Sequence, residues 1–493
     1  MKDLKSRTLR GGFAKGGALG ANFVLRMTSV MILARLLEPK DFGLLGMVTA
    51  FTGVLSLLRD FGLSAAAIQI ATLSEEQSST LFWINVLAGA MLTGAAMISA
   101  PIISGFYREP RLLLITMAVA VSFLLNGAGV QHSAILQRQM RFGALAIIDV
   151  TALVVSTVVA ICAAMAGYGY WSLVVMTICV PFVTTCGLWV CARWIPGRPR
   201  KGIGIRSLMR FGGAVTLNSF VVYLASNFDK VLLGRFWGSE ALGIYGRAYQ
   251  LIRIPTDTMN SGVGEVAFAA LSRLQDDPGR LKSYFLKGYA LVLACTLPLT
   301  VACGFFANDL IVVLLGAKWK EAIPIFRWLA PTILAFAIAN PLGWLLSALG
   351  LVDRGLKIAL VIAPLMIASY FIGLPYGPKG VALAYSAVMT LWIIPAILWC
   401  VHGTIFSFWD IARVISRPLG SVIPAVALAE GVNIFLGSVL TSLPRLILEC
   451  AVLFLTYACM LLFVAGEKSL YLELYRGMRG TMPGAKKDMV SVL

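Results

Sequence analysis

Stretches of about 20 apolar residues recur along this chain roughly every 35 residues, separated by short polar loops. That spacing constrains the fold more than any single motif does. Hydrophobic residues make up 59% of the 493 and charged residues only 13%, whereas soluble domains carry about 45–50% and about 25%. Too few polar residues remain to cover a water-soluble body of this length. Lipid must therefore solvate the outside. In lipid every backbone polar group has to be satisfied within its own segment, so the runs are predicted to be helices. They fall at Gly16–Leu37, Phe42–Leu58, Thr80–Phe106, Leu112–Val130, Ala144–Gly167, Tyr170–Trp194 and Ser207–Phe228. The rest are Ala241–Leu271, Tyr284–Phe306, Ile323–Gly350, Leu356–Leu374, Gly380–Cys400, Val422–Leu440 and Leu446–Ala465. The expected fold is thus an all-α integral membrane protein of about fourteen transmembrane helices.

The net charge of +18 would suggest nucleic acid in a soluble protein. Here the basic residues sit in short loops, where they report orientation, and no nucleic-acid partner is expected. With the N-terminus cytoplasmic, basic residues favour the cytoplasmic side by about three to one. The richest loop, Arg193 to Arg210, follows the sixth span, and an even span count returns the C-terminus to the cytoplasm. The basic segment Met1 to Lys15 leads into a full-length apolar run without an A-x-A site, which reads as a retained first helix. All nine cysteines fall inside spans, and His132 and His402 are the only histidines, so the cysteines read as packing residues.

The loop after span six divides two similar halves. A-R-L-L-E-P-K-D-F-G-L-L-G at 34–46 aligns with G-R-F-W-G-S-E-A-L-G-I-Y-G at 234–246 at a constant offset of 200, pairing Arg35 with Arg235, Gly43 with Gly243 and Gly46 with Gly246. Six spans separate the copies, so both have the same orientation in the membrane, as in a parallel repeat. The expected division is a first lobe over 1–200, a second over 201–405, and two accessory helices with a cytoplasmic tail over 406–493.

No P-loop, H-E-x-x-H, paired C-x-x-C or G-x-S-x-G motif is present in the sequence. The chain reads as a transporter without cofactor, metal site or catalytic residues. The informative groups are the ionisable residues inside spans: Arg26, Asp149, Arg253, Asp257, Glu265, Arg327, Glu430 and Glu449. Exposed to lipid, they would together cost roughly 20 kcal/mol or more, beyond the net stability of about 5–15 kcal/mol that a fold has. Most must face a cavity, a partner or the interface. Span one places Asn22 and Arg26 on one face at i, i+4. Span eight aligns Gln250, Arg253 and Asp257, with Arg247 about two turns before Arg253. These six are the candidate lumen residues, because arginine holds phosphate oxygens bidentately and stays protonated. A buried structural pair Arg253–Asp257 is the competing reading. Asp149, Asp229 and Glu265 are candidate ion-coupling carboxylates. Asp229 and Lys230, with Arg235, otherwise read as a solvated cluster at the outer end of span seven.

The segments A-R-L-L-E-P-K-D-F-G-L-L-G at 34–46 and N-F-D-K-V-L-L-G-R-F-W-G-S-E-A-L-G-I-Y-G-R-A-Y-Q-L at 227–251, together with S-R-L-Q-D-D at 272–277, resemble the Wzx-type polysaccharide exporter family of the multidrug/oligosaccharidyl-lipid/polysaccharide exporter superfamily. The resemblance implies a MATE-like pair of six-helix lobes plus two C-terminal helices. It also implies transfer of undecaprenyl-pyrophosphate-linked oligosaccharide across the bacterial inner membrane by alternating access, with polymerase or assembly proteins as partners. A cation-coupled multidrug antiporter and a peptidoglycan-precursor flippase of the same superfamily are the alternatives. A membrane glycosyltransferase would need a larger polar catalytic domain than these loops provide.

Overall fold

The computed structural model describes residues 20–58, 74–199, 206–436, 440–464 and 466, without the side chains of 58, 206–219, 259, 261–263, 265, 266, 269, 433 and 436. Every regular element among the described residues is a helix. In chain order these are α1 (20–36), α2 (Pro39–Leu58), α3 (Glu75–Tyr107), α4 (Arg111–Arg138), α5 (Phe142–Met165), α6 (Tyr170–Ala192) and α7 (Arg206–Ser272). After them come α8 (Pro278–Phe305), α9 (Ala307–Leu314), α10 (Ala322–Leu329), α11 (Pro331–Ala348), α12 (Val352–Gly373), α13 (Gly377–Leu391), α14 (Ile393–Val401), α15 (Phe408–Leu436) and α16 (Ser442–Cys459).

Ten helical stretches are long and apolar enough to cross a membrane, and one of them, Val352–Val401, holds both α12 and the α13–α14 pair. Counting it twice and adding α1 and the two arms of α7 gives the fourteen expected passes. The arms α7a and α7b meet at Gly238, whose φ of 81° is a left-handed value that a residue with a Cβ adopts only at a cost. α15 begins at Phe408, well before the expected Val422. Its start is polar: the Asp410 carboxylate accepts from Ser407 N at 2.8 Å and Trp409 N donates to Ser407 Oγ. This is a reciprocal cap that a hydropathy count does not register. Pro395 ends α13, since it lacks the N–H that would bond the Leu391 carbonyl.

The chain forms two compact units. The first holds the described residues up to Val263 with Leu314–Leu329 and Asp353–Trp392; the second holds Gly264–Val313, Ala330–Val352 and the residues from Ile393. Within the first, α3 lies along α4, α6 packs on α4 and α5, and α2 rests against α4 and α6. His132 is fully buried there, stacked 4.4 Å from the Trp189 ring with Nε2 3.2 Å from the Trp194 carbonyl, which gives it a packing role. Buried Trp319 donates its indole N–H to the Ala34 carbonyl at 2.9 Å and meets Phe42 edge-on.

The repeated glycines meet in the same unit. A Cβ on Gly43 would lie 1.6 Å from the Ser239 carbonyl oxygen, and one on Gly243 would lie 1.8 Å from that of Pro39. Position 39 of each copy therefore touches position 43 of the other, in both directions. Reciprocity of this kind is the mark of a two-fold contact. α2 and α7b are related by the repeat axis and pack backbone against backbone.

In the second unit α15 and α16 run side by side with α8 against both. Its core joins Leu297, Phe306, Val422, Ala425 and Leu453. Lys282 of α8 pairs with Asp410 at 2.6 Å, tying down the polar start of α15.

Candidate functional site

α2, α7a and α7b enclose a cavity of about 400 Å³ within the first unit. α2 contributes Phe42, Leu45, Gly46 and Thr49, and α7a contributes Ser226, Asn227 and Lys230. α7b supplies the rest: Leu242, Gly243, Gly246, Arg247, Tyr249, Gln250, Arg253 and Asp257, of which Gly243, Arg247, Gln250, Arg253 and Asp257 follow one another at intervals of three or four residues. Gly46 and Gly246 both line it, and a Cβ on Gly246 would meet nothing within 4 Å.

Three cations and one carboxylate line this space. The Arg247 guanidinium carbon sits 3.9 Å above the Phe42 ring, and Nη1 donates to Gln250 Oε1. No carboxylate among the described residues lies within ion-pair distance of it. The stack and the amide hold the planar group in place without neutralising it. Lys230 Nζ donates to Asn227 Oδ1 at 2.7 Å and lies 5.7 Å from the Tyr249 ring centre. Arg253 Nη2 is 3.2 Å from Asp257 Oδ1, with Asp257 the more exposed partner. A cavity with this excess of positive charge, built from forked donors and one amide, is chemically suited to an anion carrying several oxygens.

Of the residues predicted from sequence, Arg247, Gln250, Arg253 and Asp257 come together here. Asn22 and Arg26 do not join them. Arg26 is exposed on α1, Asn22 is half-buried, and the charge of Arg26 acts instead on Asp149 of α5. Asp229 is not solvated as its position near a span end suggested. It is 1% exposed and accepts hydrogen bonds from the Tyr245 hydroxyl and the Lys230 amide, both at 2.8 Å. The helix runs on past Trp237, so residues 229 and 230 lie inside it and not at its end. The side chain of Glu265 lies outside the described residues. Lys230 and Asn227 are the contributors that sequence reasoning undervalued. Their signal was the i, i+3 and i, i+4 spacing of Ser226, Asn227 and Lys230 on one helix face.

Asp257 competes with any anion for Arg253. Asp257→Asn is expected to tighten the binding of inorganic pyrophosphate by about fivefold, or about 1 kcal/mol for so exposed a pair. Calorimetric titration of the detergent-solubilised protein measures this. Unchanged or weaker binding would show that the carboxylate does not compete.

The sequence pattern of a family described as polysaccharide biosynthesis protein matches residues 32–324, more than half of the chain. The teichuronic acid biosynthesis protein TuaB of Bacillus subtilis (strain 168) is 30% identical over 310 residues, 60% of this chain. The chain spans 62% of that protein's length. The lipopolysaccharide biosynthesis protein WzxC of Escherichia coli (strain K12) is 25% identical over 397 residues, 79% of this chain and 80% of that protein. Among solved structures, the lipid II flippase MurJ in an inward closed conformation superposes with a TM-score of 0.71 at 14% identity, covering 96% of this chain and 100% of that one. At that identity the likeness concerns the fold.

Proposed function

We propose that this chain, which belongs to the polysaccharide biosynthesis protein family, is a flippase for lipid-linked oligosaccharide. Its cargo is the undecaprenyl-pyrophosphate-linked repeat unit of a surface polysaccharide, carried across the bacterial inner membrane. The observation that carries this reading is the cation-rich cavity inside a bundle of membrane-spanning helices. A diphosphate is a compact polyanion that cannot enter hydrocarbon unaided. Lys230, Arg247 and Arg253 supply the charge and the donors to take it from water, while the polyprenyl tail stays in lipid. The two lobes, 1–200 and 201–405, would rock about their shared axis to expose the cavity to each leaflet in turn. The distribution of basic residues supports a cytoplasmic location for both termini. Asp149 and Asp229 are the described carboxylates proposed for ion coupling, and Arg26 with Asn22 forms a second cationic station. Polymerase and assembly proteins would take up the product.

The lining argues against an organic-cation antiporter, because three like charges to one carboxylate repel such a substrate. A lipid-linked peptidoglycan precursor is the second reading, supported by the fold likeness to the lipid II flippase. The test is reconstitution of the full chain in liposomes with fluorescent lipid-linked oligosaccharide in one leaflet. The expected result is transfer well above protein-free vesicles, with weaker competition from the peptidoglycan precursor. Equal transfer with and without protein would refute the proposal, and stronger competition would favour the second reading.

A further inference from the structure

The second unit holds a charged cluster that the cavity does not use. Arg445 of α16 forks onto Asp309 of α9, with Nε donating to Oδ2 at 2.6 Å and Nη2 donating to Oδ1. One helical turn on, Glu449 is 1% exposed, and neither of its carboxyl oxygens accepts a hydrogen bond from a described residue. Glu449 Oε1 lies 4.0 Å from Arg445 Nε, beyond hydrogen-bond reach. Among the described residues, the other ionisable groups facing it are Glu430 of α15, whose charge acts on it, and Cys450 on its own helix, which in turn faces Cys303 of α8.

Arg445 is thus shared between Asp309 and Glu449. A buried ionised carboxylate is tolerated when it has a countercharge and hydrogen bonds. Asp309 has taken the fork of Arg445, and Glu449 has only the edge of that guanidinium at 4.0 Å and no hydrogen bond from a described residue. Asp309 and Glu430 also oppose a further negative charge at that place. As a neutral acid Glu449 fits where it stands. No group of three or more His, Cys, Asp or Glu residues among the described residues is arranged to hold a metal ion, so the cation that suits this site is a proton.

We propose that Glu449 is a proton-binding site whose occupancy decides which acid holds Arg445. With the proton bound, Arg445 pairs with Asp309, as observed. When the O–H bond breaks, the proton leaves to water past Arg445, the most exposed of the three at 17%. The new carboxylate then draws the guanidinium back along its own helix, an i, i+4 pair. The tie between α16 and α9 is loosened by the loss of one proton, with no change of redox state. The inference is independent of what the cavity carries.

The test is pH-difference infrared spectroscopy of the full-length protein in phosphatidylethanolamine–phosphatidylglycerol vesicles, titrated between about pH 5 and about pH 9, a window above ordinary carboxyl pKa values. A carboxylic-acid C=O band is expected at neutral pH in the wild type and lost in E449Q. In D309N the Asp309 carboxylate no longer competes with Glu449 for Arg445, so the band should titrate at least about one pH unit lower. Exchanging sodium for potassium should leave the midpoint in place. A band that survives E449Q overturns the assignment, and one unmoved by D309N overturns the exchange. A band that disappears on adding sodium makes this a sodium site instead.

Discussion

Arg247→Ala is expected to abolish most glycolipid transfer while leaving insertion into the membrane unchanged. Arg247 is the cavity cation with no carboxylate beside it among the described residues, held flat on Phe42 and steered by Gln250. Its donors are therefore already placed when an anion arrives, and little ordering cost remains. A charge-assisted hydrogen bond of this kind is worth about 1.5–3 kcal/mol, so transfer or affinity should fall roughly 10- to 150-fold. Arg247→Lys keeps the charge but loses the fork and the planar stack, and should recover only part of the activity. Arg253→Ala has a compound effect, since it removes a cation and leaves Asp257 without its ion-pair partner, free to compete for the remaining cavity cations. The double variant with Asp257→Ala should then transfer better than Arg253→Ala alone. Initial rates in proteoliposomes, normalised to protein incorporated, measure all four. Wild-type rates for Arg247→Ala would remove the cavity from consideration as the head-group site.

The sequence made the helices legible because lipid leaves few solutions: apolar runs of spanning length must be helical, and their number follows by counting. It also displayed the α7b face, since Arg247, Gln250, Arg253 and Asp257 repeat at helical spacing. It could not show which charged helix faces meet. Arg26 and Arg253 looked equivalent as deep arginines, yet Arg26 is exposed beside Asp149 whereas Arg253 lines the cavity with Arg247. That depends on helix rotation and packing, which no one-dimensional pattern carries. Lys230 and Asp229 were misjudged for a related reason. Hydropathy ended span seven at the first charged residues, but the helix continues because Tyr245 and the backbone satisfy Asp229 while Asn227 and the Tyr249 ring hold Lys230. The polar start of α15 was missed in the same way.

The repeat carries the second large effect, because what looked like a weak resemblance between two segments is a physical contact. Gly43 and Gly243 each stand where a Cβ would fall well inside contact distance of a carbonyl oxygen on the other helix. The obstacle is backbone, so a rotamer change cannot relieve it, and α2 and α7b would have to separate. Gly43→Ala and Gly243→Ala are each expected to destabilise the protein by about 1–3 kcal/mol, seen as a lower thermal midpoint in detergent. Because Gly243 also lines the cavity, separation of the helices should slow transfer as well. The two glycines share one interface, so the double variant should cost less than the sum of the singles: once the first methyl has parted the helices, the second finds room. Gly94→Ala in α3 is the control, as a Cβ there meets nothing within 4 Å, and its midpoint should hold or rise. Strict additivity would mean that the two positions do not share a contact. Midpoints equal to wild type in both singles would mean that α2 and α7b do not approach this closely.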